Sequence, residues 1–446
     1  MQWLNVTLFI WIGVALFIVG VGIFFLVRFL SRDTALTGIE KALEGKHYRK
    51  ALSLAQKYAV QHPDNYILKY YMAQAYEGMG DYAKAVEYYE KASVAASMNG
   101  GGQDTMMQQM YLKIADLYNR MKRKKEALGY YVMVLDKHPN NSKALYAASE
   151  ILYEMKNYRK AREYLEILVR MKGDHLRGRF LLAKVYVQSS MMNEAIGQLE
   201  VILKNYKVQN DPFYYSVLFL IGECYSRIKN YQKAIDSYRM LLDVPEYFED
   251  ALVRMVDNYI KFNSIKEAED IISRYSGRLS KVRLAEALYL VAATHFKNDD
   301  IYLALNLWDR IQKTVPGYKD VKALLATYDV LVKHPALETY FSKKESMLES
   351  FLLRVVKGKF TKQNVKTESY WVMDTGDTIH VFFRKPLPVT EKDILDIEAT
   401  VERQFPASSS YNLYSVFGLH SSVSPSRYQK MLYIEPTKFL QMIEGA

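Results

Sequence analysis

The chain has one cysteine, Cys224, in 446 residues, which excludes an intramolecular disulfide framework and any thiolate zinc or iron–sulfur centre built by this chain alone. Glycine and proline are also scarce, at 21 and 11, too few for a collagen-like or low-complexity polymer. No Gly-x-Ser-x-Gly, Walker or His-x-x-x-His pattern occurs, and the eight histidines are dispersed, so the sequence implies no catalytic centre, metal or cofactor and reads as a non-enzyme. A phosphate-cradling loop at Asn99-Gly100-Gly101-Gly102-Gln103 lacks the following Lys-Ser or Lys-Thr and reads as a flexible connection. The basic surplus is modest, 60 Lys and Arg against 49 Asp and Glu. Its densest run, Lys122-Arg123-Lys124-Lys125, stands between two helices; it has the pattern of a solvated face, a partner or membrane surface being the alternative.

What is abundant is tyrosine, 37 residues of it. From Met1 to Val27 no charged side chain occurs, and Leu4–Val27 is long enough at about 1.5 Å per residue to span a bilayer core of about 30 Å. The sequence therefore predicts a single-pass inner-membrane anchor between Leu4 and Val27, with membrane contact through residues 4–27. Arg28, Arg32, Lys41, Lys46, Arg49 and Lys50 follow it, and positive charge after the span places the bulk in the cytoplasm, a periplasmic bulk being the alternative.

Beyond residue 34 an internal period governs the chain. Ala51, Ala85, Ala127, Ala161, Ala195, Ala234, Ala268 and Ala304 are separated by 34, 42, 34, 34, 39, 34 and 36 residues. Nine residues before the alanine stands Tyr76, Tyr118, Tyr186, Tyr225 or Tyr259, with Leu152 and His295 as exceptions. Three further back comes Ala73, Ala115, Ser149, Ala183, Gly222 or Ala292. Small residues let antiparallel helices approach, tyrosines fill the wedge, and Pro63, Pro139 and Pro316 stop the second helix. The stretch Met72-Ala73-Gln74-Ala75-Tyr76-Glu77-Gly78-Met79-Gly80-Asp81-Tyr82-Ala83-Lys84-Ala85 resembles the tetratricopeptide repeat. The resemblance implies a mainly α fold: a right-handed solenoid of about eight helical hairpins over residues 34–335, including a capping helix at Asp320–Val332.

The family's register implies that the first helix of each hairpin lines a concave groove. It puts Gln74, Asp116, Glu150, Lys184, Glu223 and Asp257 in one row, four of the six acidic, with Tyr70, Tyr146, Phe180, Phe219, Tyr289 and Phe296 a turn away. Such a groove is expected to bind a protein partner through a peptide with basic and apolar side chains. Carboxylates disfavour nucleic acid there, and the row lacks the Lys and Asn clamp of the chaperone-tail-binding members. Exposed end repeats leave homo-oligomerisation open. His295 stands in a tyrosine position and reads as a packed core residue.

After His334-Pro335 the rhythm stops, and residues 336–446 read as a small α/β domain. Helices are expected at Ser346–Val356, Thr390–Gln404 and Lys438–Ile443; strands at Ser369–Met373, Thr378–Phe383, Asn412–Val416 and Met431–Glu435. The order faintly resembles Mrr-type restriction endonucleases. The metal-holding positions of that family read Phe382-Phe383-Arg384 and Ser369-Tyr370-Trp371 here, with Asp374 and Asp377 at the turn, so the resemblance implies a degenerate domain. With 14 Lys and Arg against 12 Asp and Glu in residues 340–446, no strong nucleic-acid footprint is present. Anchor plus repeats is similar in architecture to LapB-type envelope regulators and to spirochaetal flagellar collar proteins. LapB-type members end in a Cys-rich module that this chain cannot build. These features predict a membrane-anchored scaffold for an envelope or membrane-associated complex, with a flagellar-collar-type periplasmic protein or a cryptic nuclease-like nucleic-acid binder as alternatives.

Overall fold

A computed structural model describes residues 19, 21, 36–98, 104–206, 208, 211–341, 345–358, 363–406, 408 and 410–446. They form two compact units, Met1–Ser237 and Tyr238–Ala446. The first is built of helices in sequence-adjacent pairs: α1 (36–44) with α2 (Tyr48–Ala59), α3 (Tyr66–Gly78) with α4 (Tyr82–Met98), and α5 (Asp104–Arg120) with α6 (Lys124–Lys137). The pattern continues through α7 (Ser142–Glu154) with α8 (Tyr158–Met171) and α9 (Leu176–Gln188) with α10 (Met192–Asn205), followed by α11 (Pro212–Arg227) and α12 (Tyr231–Arg239).

The repeat register is the packing register. All eight periodic alanines are fully buried, and so are Ala73, Ala115, Ser149, Ala183 and Ala292. A methyl group or less at these positions lets the helix backbones close on one another. At Gly78 even that is too much, since a Cβ there would meet the Tyr48 ring at 2.3 Å. The tyrosines that fill the wedges bring hydroxyls into the interior, and carboxylates of neighbouring helices accept from them. Tyr89 donates to Glu77 at 2.8 Å, Tyr130 to Glu90 at 2.7 Å and Tyr225 to Glu200 at 2.6 Å.

Every hairpin turns in the same way. Five residues before each buried alanine the backbone is left-handed: Lys46, Gly80, Lys122, Lys156, Ser190, Lys229, Asn263 and Asp299 have φ between 58° and 82°. The next N–H reaches back to close a Schellman motif, Asp81 donating to the Tyr76 carbonyl at 3.0 Å and Asn157 to that of Leu152 at 2.8 Å. The periodic tyrosine is thus the residue whose carbonyl ends its helix. Asp81, Asn157 and Asn230 then cap the following helix through their side chains.

The second unit continues with α13 (Pro245–Lys261) on α14 (Ile265–Tyr275) and α15 (Lys281–Lys297) on α16 (Ile301–Thr314). The expected capping helix is two short ones, α17 (Val321–Thr327) and α18 (Asp329–Lys333), broken at the buried Tyr328. Two further helices, α19 (Leu337–Tyr340) and α20 (Glu345–Val355), lead to a five-stranded sheet in sequence order: β1 (Gln363–Lys366), β2 (Tyr370–Asp374), β3 (Ile379–Phe383), β4 (Tyr411–Ser415) and β5 (Met431–Ile434). The first three strands are antiparallel and the last three parallel. The crossover helix α21 (Glu391–Gln404) opens with a full capping box between Thr390 and Asp393, and α22 (Pro436–Glu444) ends the chain. All of β3 is buried, as a central strand covered on both faces must be. Strand β1 is a finding the sequence reading lacked: its Gln-Asn-Val-Lys run is too polar to read as a strand.

The expected membrane span needs correction. Apart from Val19 and Val21, residues 4–27, including Leu4 and Val27, lie outside the described residues, as do residues 99–103. Among the described residues no helix is long and apolar enough to cross a membrane. The longest, such as Tyr82–Met98 and Lys281–Lys297, have 17 residues; at about 1.5 Å per residue they fall short of the roughly 30 Å hydrocarbon layer. This overturns the single-pass inner-membrane location expected from the sequence.

Candidate functional site

Three first helices of successive hairpins meet at one cleft of about 230 Å³. Helix α7 contributes Tyr146 and Glu150, α9 contributes Arg177, Phe180 and Lys184, and α11 contributes Phe213. Arg177, Phe180 and Lys184 fall at i, i+3 and i+7, one face of a helix. The Phe180 and Phe213 rings pack edge to face at 5.3 Å, and Phe213 meets Tyr206 at 5.3 Å. Tyr146 lies 5.2 Å from the His175 ring. Burial and its hydrogen bond to the Glu150 carboxylate push the Tyr146 hydroxyl pKa well up, so it stays a neutral donor. Lys184 holds its ammonium over Tyr153 at 5.2 Å and Phe180 at 5.8 Å. A second cleft, about 460 Å³, adjoins through Arg177 and Phe213 and adds His175, Tyr206 and Asp211.

Tyr146, Glu150 and Phe180, expected together from the sequence, are thus brought together. Tyr70 lies two hairpins earlier, packed on Tyr89 at 5.5 Å; burial raises its pKa and the Gln74 hydrogen bond opposes this. Asp116 accepts from the buried Tyr131 hydroxyl and from Lys143, each at 2.6 Å. Glu223 pairs with Arg227 at 3.2 Å, and the half-buried Phe219 lies one turn before it on α11. In the second unit Asp257 pairs with Lys261 at 2.6 Å, and Tyr289 donates to Asp320 at 2.8 Å beneath the Lys319 ammonium. The acidic row is therefore a set of carboxylates already engaged by this chain's own donors. Arg177 and Phe213 were missed in the sequence. The helical period on α9 carried the signal for Arg177, whereas Phe213 follows the insertion that shifts the repeat register.

Other candidates resolve into structure. Cys224 is buried, and burial pushes its thiol up to about 11, unfit for a thiolate. In the basic run, Lys124 pairs with Glu154, Arg123 pairs with Glu126 at 2.8 Å and covers the Tyr118 ring, and Lys122 forms the left-handed turn. His295 is buried with Nε2 at 2.7 Å from Glu269. At the β2–β3 turn Asp374 accepts from the Gly376 N–H at 2.7 Å. Among the described residues no group of three His, Cys, Asp or Glu is placed to hold a metal ion.

Two family models, each described as a tetratricopeptide repeat, match the sequence, one at residues 41–99 and 146–207 and the other at 109–141 and 216–244. No curated protein matches. Among solved structures, the C-terminal part of a repeat-containing protein from Cytophaga hutchinsonii is 13% identical and covers 65% of this chain and 98% of its own, with a TM-score of 0.40. A tetratricopeptide repeat protein from Parabacteroides merdae is 15% identical, covers 58% and 97%, and has a TM-score of 0.38. YrrB, titled a repeat protein with an unusual peptide-binding site, is 18% identical, covers 42% and 91%, and has a TM-score of 0.36. With the alanine register buried throughout and the matched models lying on these same hairpins, the chain between residues 41 and 244 carries tetratricopeptide repeats, the architecture of a protein-interaction scaffold.

Proposed function

We propose that the protein is an adaptor, not a catalyst, and that its repeat array holds a peptide segment of a partner protein in the cleft between α7, α9 and α11. The observation that carries this reading is the convergence of Tyr146, Phe180 and Phe213, from the first helices of three successive hairpins, on one open cleft. Aromatic rings offer large contact area at small entropic cost, and the polar groups between them orient a bound backbone. Tyr70, Gln74, Asp116, Phe219 and Glu223 extend the same register in the first unit; Asp257 and Tyr289 carry it in the second.

Function divides, in this reading, between the array at 34–335 and the α/β layer at 336–446, which serves as the array's C-terminal cap. Repeat arrays need a terminal element that covers the last apolar face. Phe417 lies against Tyr328 at 5.7 Å, and Tyr328 stacks on Trp308 at 6.5 Å, so the layer meets the last hairpin through aromatic rings.

The test is selection of displayed random peptides on the full-length protein. Recovered peptides are expected to lose binding when Phe180 and Phe213 become Ala in a variant whose melting curve is unchanged. Peptides that bind that variant as well as they bind the parent would place the site elsewhere.

A further inference from the structure

The acidic row suggests a basic ligand, but the ion pairing of the folded chain reverses that expectation. Each carboxylate of the row in the first unit has an internal partner. Asp116 serves Tyr131 and Lys143, Glu150 serves Tyr146, and Glu223 pairs with Arg227. The cations of the central cleft have no such partners. Among the described residues neither Arg177 nor Lys184 forms an ion pair with a carboxylate; Lys184 rests on the faces of Tyr153 and Phe180 instead. An ammonium over aromatic faces keeps its charge available, and a guanidinium offers a fork that matches a carboxylate. Within this cleft Glu150 alone stands against Arg177 and Lys184; Asp174 and Asp211 line the adjoining cleft, where Asp211 already accepts from the Tyr206 hydroxyl.

Resting on the reading of this cleft as a peptide site, we infer that it selects an acidic segment of its partner, seating carboxylates on Arg177 and Lys184 and an apolar side chain against Phe180 and Phe213. The spacing favours an extended segment. Arg177 and Lys184 are seven residues apart on α9, about 10 Å along the axis, with Phe180 between them. In an extended peptide every second side chain faces the same way, so positions i, i+2 and i+4 span about 13 Å. The long cationic side chains cover the difference. The motif is thus acidic, any, apolar, any, acidic.

The experiment is fluorescence anisotropy on the full-length protein with a labelled synthetic peptide centred on Glu-Ser-Phe-Ser-Glu, beside versions with both glutamates changed to glutamine or to lysine. The acidic peptide is expected to bind at least about tenfold tighter than the glutamine version and to weaken with added salt. Arg177→Gln and Lys184→Gln should each cost the acidic peptide about five- to tenfold and cost the glutamine version measurably less. Both side chains lie at the cleft surface, and unchanged melting curves check the fold. Equal or tighter binding of the lysine peptide, indifference to both charge variants, or no binding of any of the three overturns the inference. Phe180→Ala separates the two levels. If it abolishes binding while the charge variants do nothing, the peptide site stands and its acidic preference falls; if it changes nothing, the site itself is misplaced.

Discussion

The eight left-handed turns give a quantitative test of what the hairpins cost. Seven of the eight positions hold a side chain and only Gly80 is glycine. A residue with a Cβ in this conformation costs about 1–2 kcal/mol, and glycine's larger unfolded-state freedom takes back about 0.5–1 kcal/mol. The net expectation is that Lys156→Gly stabilises the array by about 0.5–1 kcal/mol and that Gly80→Ala destabilises it by a similar amount. Sterics do not confuse the second variant, because a Cβ at Gly80, where φ is +82°, meets nothing within 4 Å. Lys156 forms no ion pair among the described residues, so its removal tests the backbone alone. Because the chain has two compact units, one global unfolding free energy is not well defined. Amide hydrogen exchange resolved over residues 152–161 and 76–85 is the better assay. Slower exchange around Asn157 in Lys156→Gly, and faster exchange around Asp81 in Gly80→Ala, is the expected pair of results. A neutral Gly80→Ala, or a Lys156→Gly that exchanges faster, would show that the turns are held by tertiary packing that overrides the backbone term.

Two further predictions concern buried polar groups. His380 is buried on β3 between Thr375 and Tyr414, its Nδ1 at 3.0 Å from the Tyr414 hydroxyl; burial lowers its pKa to about 4 from the ordinary 6.5. A lowered folded pKa means that the unfolded chain binds the proton first, so stability is intact above pH 6.5 and falls as pH drops towards 4. The loss approaches about 3 kcal/mol, and an imidazole NMR titration should show no His380 transition near pH 6.5. Asp116→Ala strips the buried Tyr131 hydroxyl of its acceptor, which should cost about 1–3 kcal/mol. Adding Tyr131→Phe should recover part of that loss in thermal melts, and a double variant no better than the single would mean that the Lys143 ion pair carries the effect.

Much of the array was legible because a helix repeats its environment every three to four residues and a repeat protein does so again about every thirty-four. The alanine positions, their tyrosine partners and the small residues opposite them needed no tertiary information, since only small side chains permit such close helix approach. The sheet was legible to within a residue or so where strands were apolar. Strand β2 is Tyr370–Asp374 against an expected Ser369–Met373, and β3 is Ile379–Phe383 against Thr378–Phe383. It failed at β1, whose residues are strand only because β2 offers them a pairing edge, Val365 opposite Val372. The groove was half legible. Tyr146, Glu150 and Phe180 line one cleft, whereas Arg177 and Phe213 entered only with the structure.

The sequence by itself determined the repeat, its period and the residues on which the helices close, because these follow from local side-chain size and periodicity. Only the tertiary structure decided which donors engage the carboxylates of the row. Asp116 meets Lys143 from the next hairpin and Tyr131 from its own, at separations of 27 and 15 residues. Nothing in a linear pattern says which carboxylate a distant donor will reach. Four acidic positions in a row read as a negative groove until the packed helices show them already engaged, while Arg177 and Lys184 form no ion pair with a carboxylate among the described residues.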